Sequence, residues 1–165
     1  MASNALARRD TEVATDQLIQ LVSFILGNEE YGTEVLKVRE IIRMPQLTRM
    51  PNAPACMEGI INLRGKVIPV ISMRKRFGLP ELANDSATRI IIMDVGDQMA
   101  GFIVDGVSEV VRIRESEIQP APALSTGGPG QEFICGVLKH GERLLIIMDV
   151  DRVFSADEQV SLAGL

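Results

Sequence analysis

Along this chain, short apolar stretches alternate with polar positions, and turn residues separate the stretches. Residues 17–26 (QLIQLVSFIL) are rich in apolar and β-branched types and stop at Gly27-Asn28, which predicts a strand entering a turn. Residues 31–35 return from that turn as a hairpin. Residues 36–44 (LKVREIIRM) place Val38, Ile41 and Ile42 at helical spacing and fit an irregular strand equally well; Pro45 stops either one. Residues 51–59 read as a short helical turn, with Asn52 as its N-cap and Gly59 as its C-terminal stop. Strands over 60–64 and 67–73 flank Gly65-Lys66. Pro69 lies inside the second, and proline has no N–H for a ladder, so that strand is expected at an edge or bulged there. Ser72 caps a short helix (MRKRFG) ending at Gly78, and 80–88 is a linker.

The second half repeats this grammar. Strands are predicted over 89–95, 98–105 and 106–114. Residues 120–130 (PAPALSTGGPG) must be a loop, and 131–139 and 142–150 form a hairpin about His140-Gly141. Asp149 or Asp151 is placed to cap a short helix after it. Laying 27–42 on 96–111, an offset of 69, matches Gly27 with Gly96, Gly32 with Gly101, Val35 with Val104, Val38 with Val107 and Glu40 with Glu109. Downstream the offset becomes 77: Gly59 meets Gly136, Val67-Ile68 meet Leu144-Leu145, Ser72 meets Asp149 and Phe77 meets Phe154. Two copies of a small β unit of about five strands follow from this, and units that small bury little apolar surface alone. They are expected to pack around a common core as two barrels over about 17–80 and 88–155, between a mobile leader (1–16) and a C-terminal tail or short helix (156–165). Features found in both copies read as structural, and features found in one copy as candidates for function. The clearest break is 62–65 (NLRG) against 139–142 (KHGE).

Composition narrows the chemistry. The chain has 165 residues, 46% apolar, with a formal net charge of −5, two cysteines and one histidine. Multi-histidine metal sites are impossible within one chain, and His140, predicted in a turn, reads as solvated. Without Trp and with 4% aromatics, an acidic chain is a poor nucleic-acid surface. No uncharged apolar run reaches the ~18 residues of a membrane helix, and the N-terminus has no secretory core. Cys56 and Cys135 read as small buried apolar residues in a reducing compartment. No phosphate loop occurs, and Asp94, Asp97 and Asp105 border turns, where Asp bonds locally. Arg74-Lys75-Arg76 reads as a solvated helix face, or with Arg64 and Lys66 as a basic strip for an acidic partner. Arg64, at a strand end between Asn62 and Gly65, is placed to project a guanidinium fork at a carboxylate or carbonyl. Catalytic residues, cofactor and metal are all expected to be absent.

The segments GNEEYGTEVLKVREI, TRMPNAPACMEGIINLRGKVIPVISMRKRFG and VDGVSEVVRI with IQPAP, in that order, resemble the CheW family of chemotaxis coupling proteins over about 17–154. The resemblance implies an all-β fold with short helices: two packed five-stranded Src-homology-3-like barrels. It implies a non-enzymatic cytoplasmic adaptor, recruited to membrane receptor arrays without inserting into the membrane. Such an adaptor links the tips of methyl-accepting chemoreceptors to the regulatory domain of a CheA-like histidine kinase. Carried over by motif, Val35, Val38, Glu40 and Arg64, with Val104, line a groove between the barrels that takes an amphipathic receptor helix. Gly106, Val107, Gly136, Val137 and Leu138 are the expected kinase contacts. Two alternatives stand beside this: a CheW-like scaffold of a non-flagellar pathway (surface motility or second-messenger control), and a small-molecule binder using the inter-barrel cleft. The chain begins with Met and holds no kinase or receiver region, which argues against a detached piece of a larger protein.

Overall fold

A computed structural model describes residues 16–120 and 133–152. The expectations for the leader (1–15), the rest of the Pro/Gly loop (121–132) and the tail (153–165, Phe154 included) lie outside the described residues. The strands are β1 (Leu18–Leu26), β2 (Glu29–Glu34), β3 (Val38–Arg43), β4 (Met57–Leu63), β5 (Lys66–Ser72), β6 (Arg89–Val95), β7 (Gln98–Val104), β8 (Gly106–Arg114), β9 (Ile134–His140) and β10 (Arg143–Met148). A short helix, α1 (Met73–Arg76), follows β5, where the Ser72 hydroxyl accepts from the Lys75 N–H at 3.2 Å.

The strands form two five-stranded sheets, β8-β1-β2-β10-β9 (the first barrel) and β3-β6-β7-β5-β4 (the second). Each closes on itself through an isolated two-bond bridge between the segment after one edge strand and the other edge strand. In the second barrel Thr48 and Ile60 exchange bonds of 3.0 and 2.8 Å; in the first, Gln119 and Val137 exchange two of 2.8 Å. A Cβ on Gly59 would lie 2.6 Å from the Thr48 carbonyl oxygen, and one on Gly136 2.6 Å from that of Gln119. Glycine is required at both because the closing chain passes directly over the strand. Gly59 is thus a strand residue rather than a helix stop, and Asn52 sits in a left-handed turn (φ 59°) rather than at an N-cap.

The repeat is real, but its copies do not coincide with the barrels. The first barrel takes β1 and β2 from the first copy and β8, β9 and β10 from the second; the second barrel takes the remainder. Barrels over 17–80 and 88–155 are therefore corrected to barrels with exchanged strands. The exchange is symmetric down to register. Val70 pairs with Gly101 in the parallel β5–β7 ladder and Ile147 with Gly32 in the parallel β10–β2 ladder, which are the same positions at the two offsets. The chain crosses between barrels at two corners, the 3₁₀ turn Val35–Lys37 and its counterpart around Asp105. Pro69 sits in a strand with neighbours on both sides. However, the ladder to β7 begins only at Val70, so no N–H is missed at Pro69.

Strict alternation fills three cores. Leu21, Val111, Ile113, Leu138, Leu145 and Ile147 point into the first barrel, and Ile61, Ile68, Val70, Ile90 and Ile92 into the second. The opposite faces of the same strands (Phe24, Leu26, Tyr31, Ile71, Ile91, Met93, Phe102) meet between the barrels. Both faces of β6 are therefore buried, which explains its nearly unbroken apolar run. Phe24, Tyr31, Phe77 and Phe133 meet in sequence through this shared core, from stacked at one end to edge-to-face at the other, with centroids 5.1–5.9 Å apart.

Candidate functional site

The segment singled out by sequence begins at the first corner. Val35 is half-buried, and Val38 packs against the shared core. Lys37 is ion-paired with Asp151 at 3.0 Å, a bond that raises the lysine pKa above its ordinary value. Three residues further on, Glu40 faces the β4–β5 hairpin. That hairpin turns through Arg64-Gly65, both left-handed (φ 52° and 86°), with Leu63 paired to Lys66 and the Asn62 side-chain oxygen accepting from the Gly65 N–H at 2.9 Å. Such a two-residue turn matches the twist of its strands and suits Asn-Gly or Gly-Gly. An arginine there is a steric penalty that local sequence does not explain.

The position of Arg64 gives its side chain a purpose. Nη1 and Nη2 donate to the two Glu40 oxygens at 2.6 and 2.9 Å, a fork across the seam between edge strands β3 and β4. Hydrogen bonding to Arg64 holds the Glu40 carboxyl below the usual carboxylate range and raises the arginine. The Arg64 side chain remains 75% exposed, so the pair orients the fork without enclosing it.

The first barrel bridges its seam differently. Glu109, the repeat counterpart of Glu40, accepts from Arg143 at 2.8 Å and lies 3.4 Å from His140 Nε2; Arg143 also reaches Glu30 at 3.1 Å. Hydrogen bonding from Arg143 lowers the Glu109 pKa first, with the charge of Arg143 adding to it. Here glycine occupies the left-handed turn position (Gly141, φ 65°), and Arg143 and His140 stand on the strand ends. His140 is thus a strand-end neighbour of a carboxylate rather than a bare turn residue.

Several expected contacts are corrected by burial. Val104 is wholly buried in the shared core and Leu138 is 2% exposed inside the first barrel, so neither side chain is available to a partner. Gly106 and Gly136 are buried, and Gly136 serves the closing bridge; Val107 and Val137 are half-buried. The basic run 74–76 is engaged internally. Arg74 bonds Asp105, Lys75 bonds Glu58 and Glu81 at 2.8 and 2.9 Å, and Arg76 lies over the Phe133 ring, 4.8 Å from its centroid. Cys56 is buried as expected, whereas Cys135 is exposed.

Sequence reasoning missed the Arg74–Asp105 clamp and the exposed Leu36. The signal for both lay in the repeat, where Leu36 and Asp105 are counterparts of opposite character. Ile41 and Val110, also counterparts, are exposed apolar residues on β3 and β8.

A cleft of about 990 Å³ lies against the second barrel. Met44, Met50 and Met57 line it together with Arg74, Asp85 and Asp105. None of Val35, Val38, Glu40 and Arg64 lines it, and the space between the barrels is packed rather than open. Among the described residues no group of three or more His, Cys, Asp or Glu is arranged to hold a metal ion, and no helix is long and apolar enough to cross a membrane.

Comparison with known proteins gives a consistent picture. Residues 20–158 match the family model of the CheW-like domain. The chain is 37% identical over 162 residues to the chemotaxis protein CheW of Treponema pallidum, covering 96% of this chain and 95% of that one. It is 37% identical over 139 residues to that of Klebsiella aerogenes, covering 84% and 83%. The crystal structure of the scaffolding protein TtCheW from Thermoanaerobacter tengcongensis superposes with a TM-score of 0.78 at 37% identity, covering 86% of this chain and 96% of that one.

Proposed function

Since the chain belongs to the CheW-like family, we propose that it is a non-enzymatic adaptor coupling the cytoplasmic tips of chemoreceptors to the regulatory domain of a CheA-like histidine kinase. It acts in the cytoplasm and is drawn to receptor arrays by these contacts. The observation that carries the receptor-binding assignment is Arg64. The residue accepts a left-handed backbone that glycine fills in the other barrel, and the gain is a fixed, exposed fork on Glu40. The closing bridge already holds the seam in both barrels, so stability alone does not require this arrangement. Val35 and Val38, on the same segment as Glu40, supply apolar contact to a receptor helix laid against this face, with Arg64 setting its orientation. Kinase contacts fall to the half-buried Val107, near the start of β8, and Val137, in the closing bridge of the first barrel.

The test is a mixture of the protein with receptor-tip fragments and CheA-like kinases of its own organism. Ternary complexes are expected, and no binding to any pair overturns the adaptor reading. In a folded Arg64→Ala variant, receptor affinity is expected to fall about tenfold or more, as for loss of an interface anchor. Unchanged affinity removes Arg64 from the site.

A further inference from the structure

The two corners where the chain crosses between barrels are repeat counterparts, but they are built in opposite ways. At the second, Asp105 turns inward. It accepts from Arg74 Nε at 2.8 Å, from Arg74 Nη2 at 2.5 Å and from the Gly27 N–H at 2.8 Å, while Arg74 also holds the Pro80 carbonyl at 2.8 Å. This closes the corner onto the β1–β2 turn, α1 and the linker. At the first corner the equivalent position is Leu36, which is 90% exposed. The turn carrying it is not loose. Val35 is half-buried, Lys37 is tied to Asp151, and Val38 sits at the margin of the shared core.

A lone exposed leucine on a surface is ordinary. This one is different in two respects. It is held on a fixed turn, so little backbone freedom remains to be lost on binding. It also stands where the other copy has a clamped carboxylate, so the repeat gives it no structural task. The surrounding charge indicates what would cover it. Lys37 lies among the carboxylates of Asp151, Asp149 and Glu34. The Gly96 N–H reaches Asp151 at 3.5 Å, which brings the Gly96-Asp97 turn alongside. The next cation along the segment, Arg39, is itself paired with Asp94 at 2.7 Å, so the carboxylates about this corner outnumber its cations and leave it negative.

We propose that Leu36 is an apolar anchor in an acidic rim, docking a partner segment whose apolar pocket or stripe is flanked by Lys or Arg. Resting on the reading that residues 35–40 meet the receptor, that segment belongs to the receptor tip. An acidic rim gives orientation and association rate, and the buried leucine gives residence time.

The experiment compares the parent, Leu36→Ala and Glu34→Lys for binding to a receptor-tip fragment and, separately, to the kinase regulatory domain, at low and raised ionic strength. Among the described residues nothing packs on Leu36, so thermal melting is expected unchanged and confirms that the variants are folded. Leu36→Ala is expected to weaken the receptor fragment about tenfold while leaving the kinase domain alone. Glu34→Lys is expected to slow receptor association, and raised salt to weaken the parent more than Glu34→Lys. Receptor affinity unchanged in Leu36→Ala overturns the anchor while the adaptor reading stands. Weakened kinase binding with intact receptor binding overturns the choice of partner. Salt-independent association overturns the basic rim. A parent that binds the kinase domain but no receptor fragment overturns the receptor reading, and this proposal with it.

Discussion

The two copies of the repeat share every strand position and differ at their corners and hairpin tips. Glu40 and Glu109 stand at the same place beside the same seam. One is met by an arginine on a strained turn, the other by Arg143 and His140 on strand ends with glycine in the turn. At the corners, Asp105 is clamped by Arg74, whereas Leu36 faces solvent and the ion pair moves to Lys37 and Asp151. Even the polarity of the clamp is reversed, since Arg74 and Asp151 are themselves counterparts at the offset of 77. What the copies share closes the barrels. Where they differ, one copy uses the position for packing and the other leaves it to be met from outside.

The strongest way to break this comparison is to separate the copies. Residues 16–80 alone carry β1 and β2 without β8–β10, and β3–β5 without β6 and β7. This fragment is expected to show no cooperative unfolding by circular dichroism, and adding the complementary half is expected to restore it. A fragment that folds alone would contradict the exchanged strands. Next in size are Gly59→Ala and Gly136→Ala, which force a Cβ onto a carbonyl oxygen of the closing bridge. Each is expected to lose about 3 kcal/mol in urea unfolding through overpacking and a strained bridge. Equal losses sharpen the equivalence of the barrels, and a loss at only one breaks it.

The corners should separate under smaller perturbations. Asp105→Ala strands Arg74, whose side chain is only 15% exposed, and is expected to lower stability by about 2 kcal/mol. Asp151→Ala removes a half-exposed pair and is expected to lower it by less than about 1 kcal/mol. Hydrogen bonding from Arg74 lowers the Asp105 pKa in the folded protein. Its contribution is therefore complete above the unfolded value, about 3.8, and is lost as the pH falls through the lower folded value. The stability gap between parent and Asp105→Ala should narrow below that pH in urea titrations, and a gap that widens contradicts the assignment. The smallest effect on stability is expected for Arg64→Gly, because glycine adopts the left-handed turn without steric strain. Its melting temperature should equal or exceed the parent's while receptor binding falls. A large loss of stability would make Arg64 structural.

Much of this was legible in the chain. β6 was read with the bounds the structure has, as was the Ser72 cap, and the two offsets align β4 with β9 and β2 with β7. Residues 36–44 stayed open between helix and strand because they contain both: a 3₁₀ turn, then a bulged strand whose register shifts between Val38 and Glu40. In the candidate site, Arg64 was legible because a non-glycine residue stood where the other copy has a turn glycine. Its carboxylate partner was not, because Glu40 is distant in sequence and the seam exists only after both sheets close. Val104 and Leu138 were carried over from the resemblance as contacts, and their side chains are buried because an alternating strand in this fold has both faces covered.

The sequence by itself determined most of the strands, their order within each copy, the repeat and the family. All of these follow from local patterning and motif, and they hold whichever way the copies pair. Only the tertiary structure decided that the copies exchange strands, because pairing within a copy and pairing between copies satisfy the same alternation and the same turns. It also decided what each charged or apolar residue does at the surface. Arg74 and Asp105 became a clamp and Leu36 an exposed knob through the crossing of the chain at the two corners, which brings together side chains that no spacing along the sequence relates.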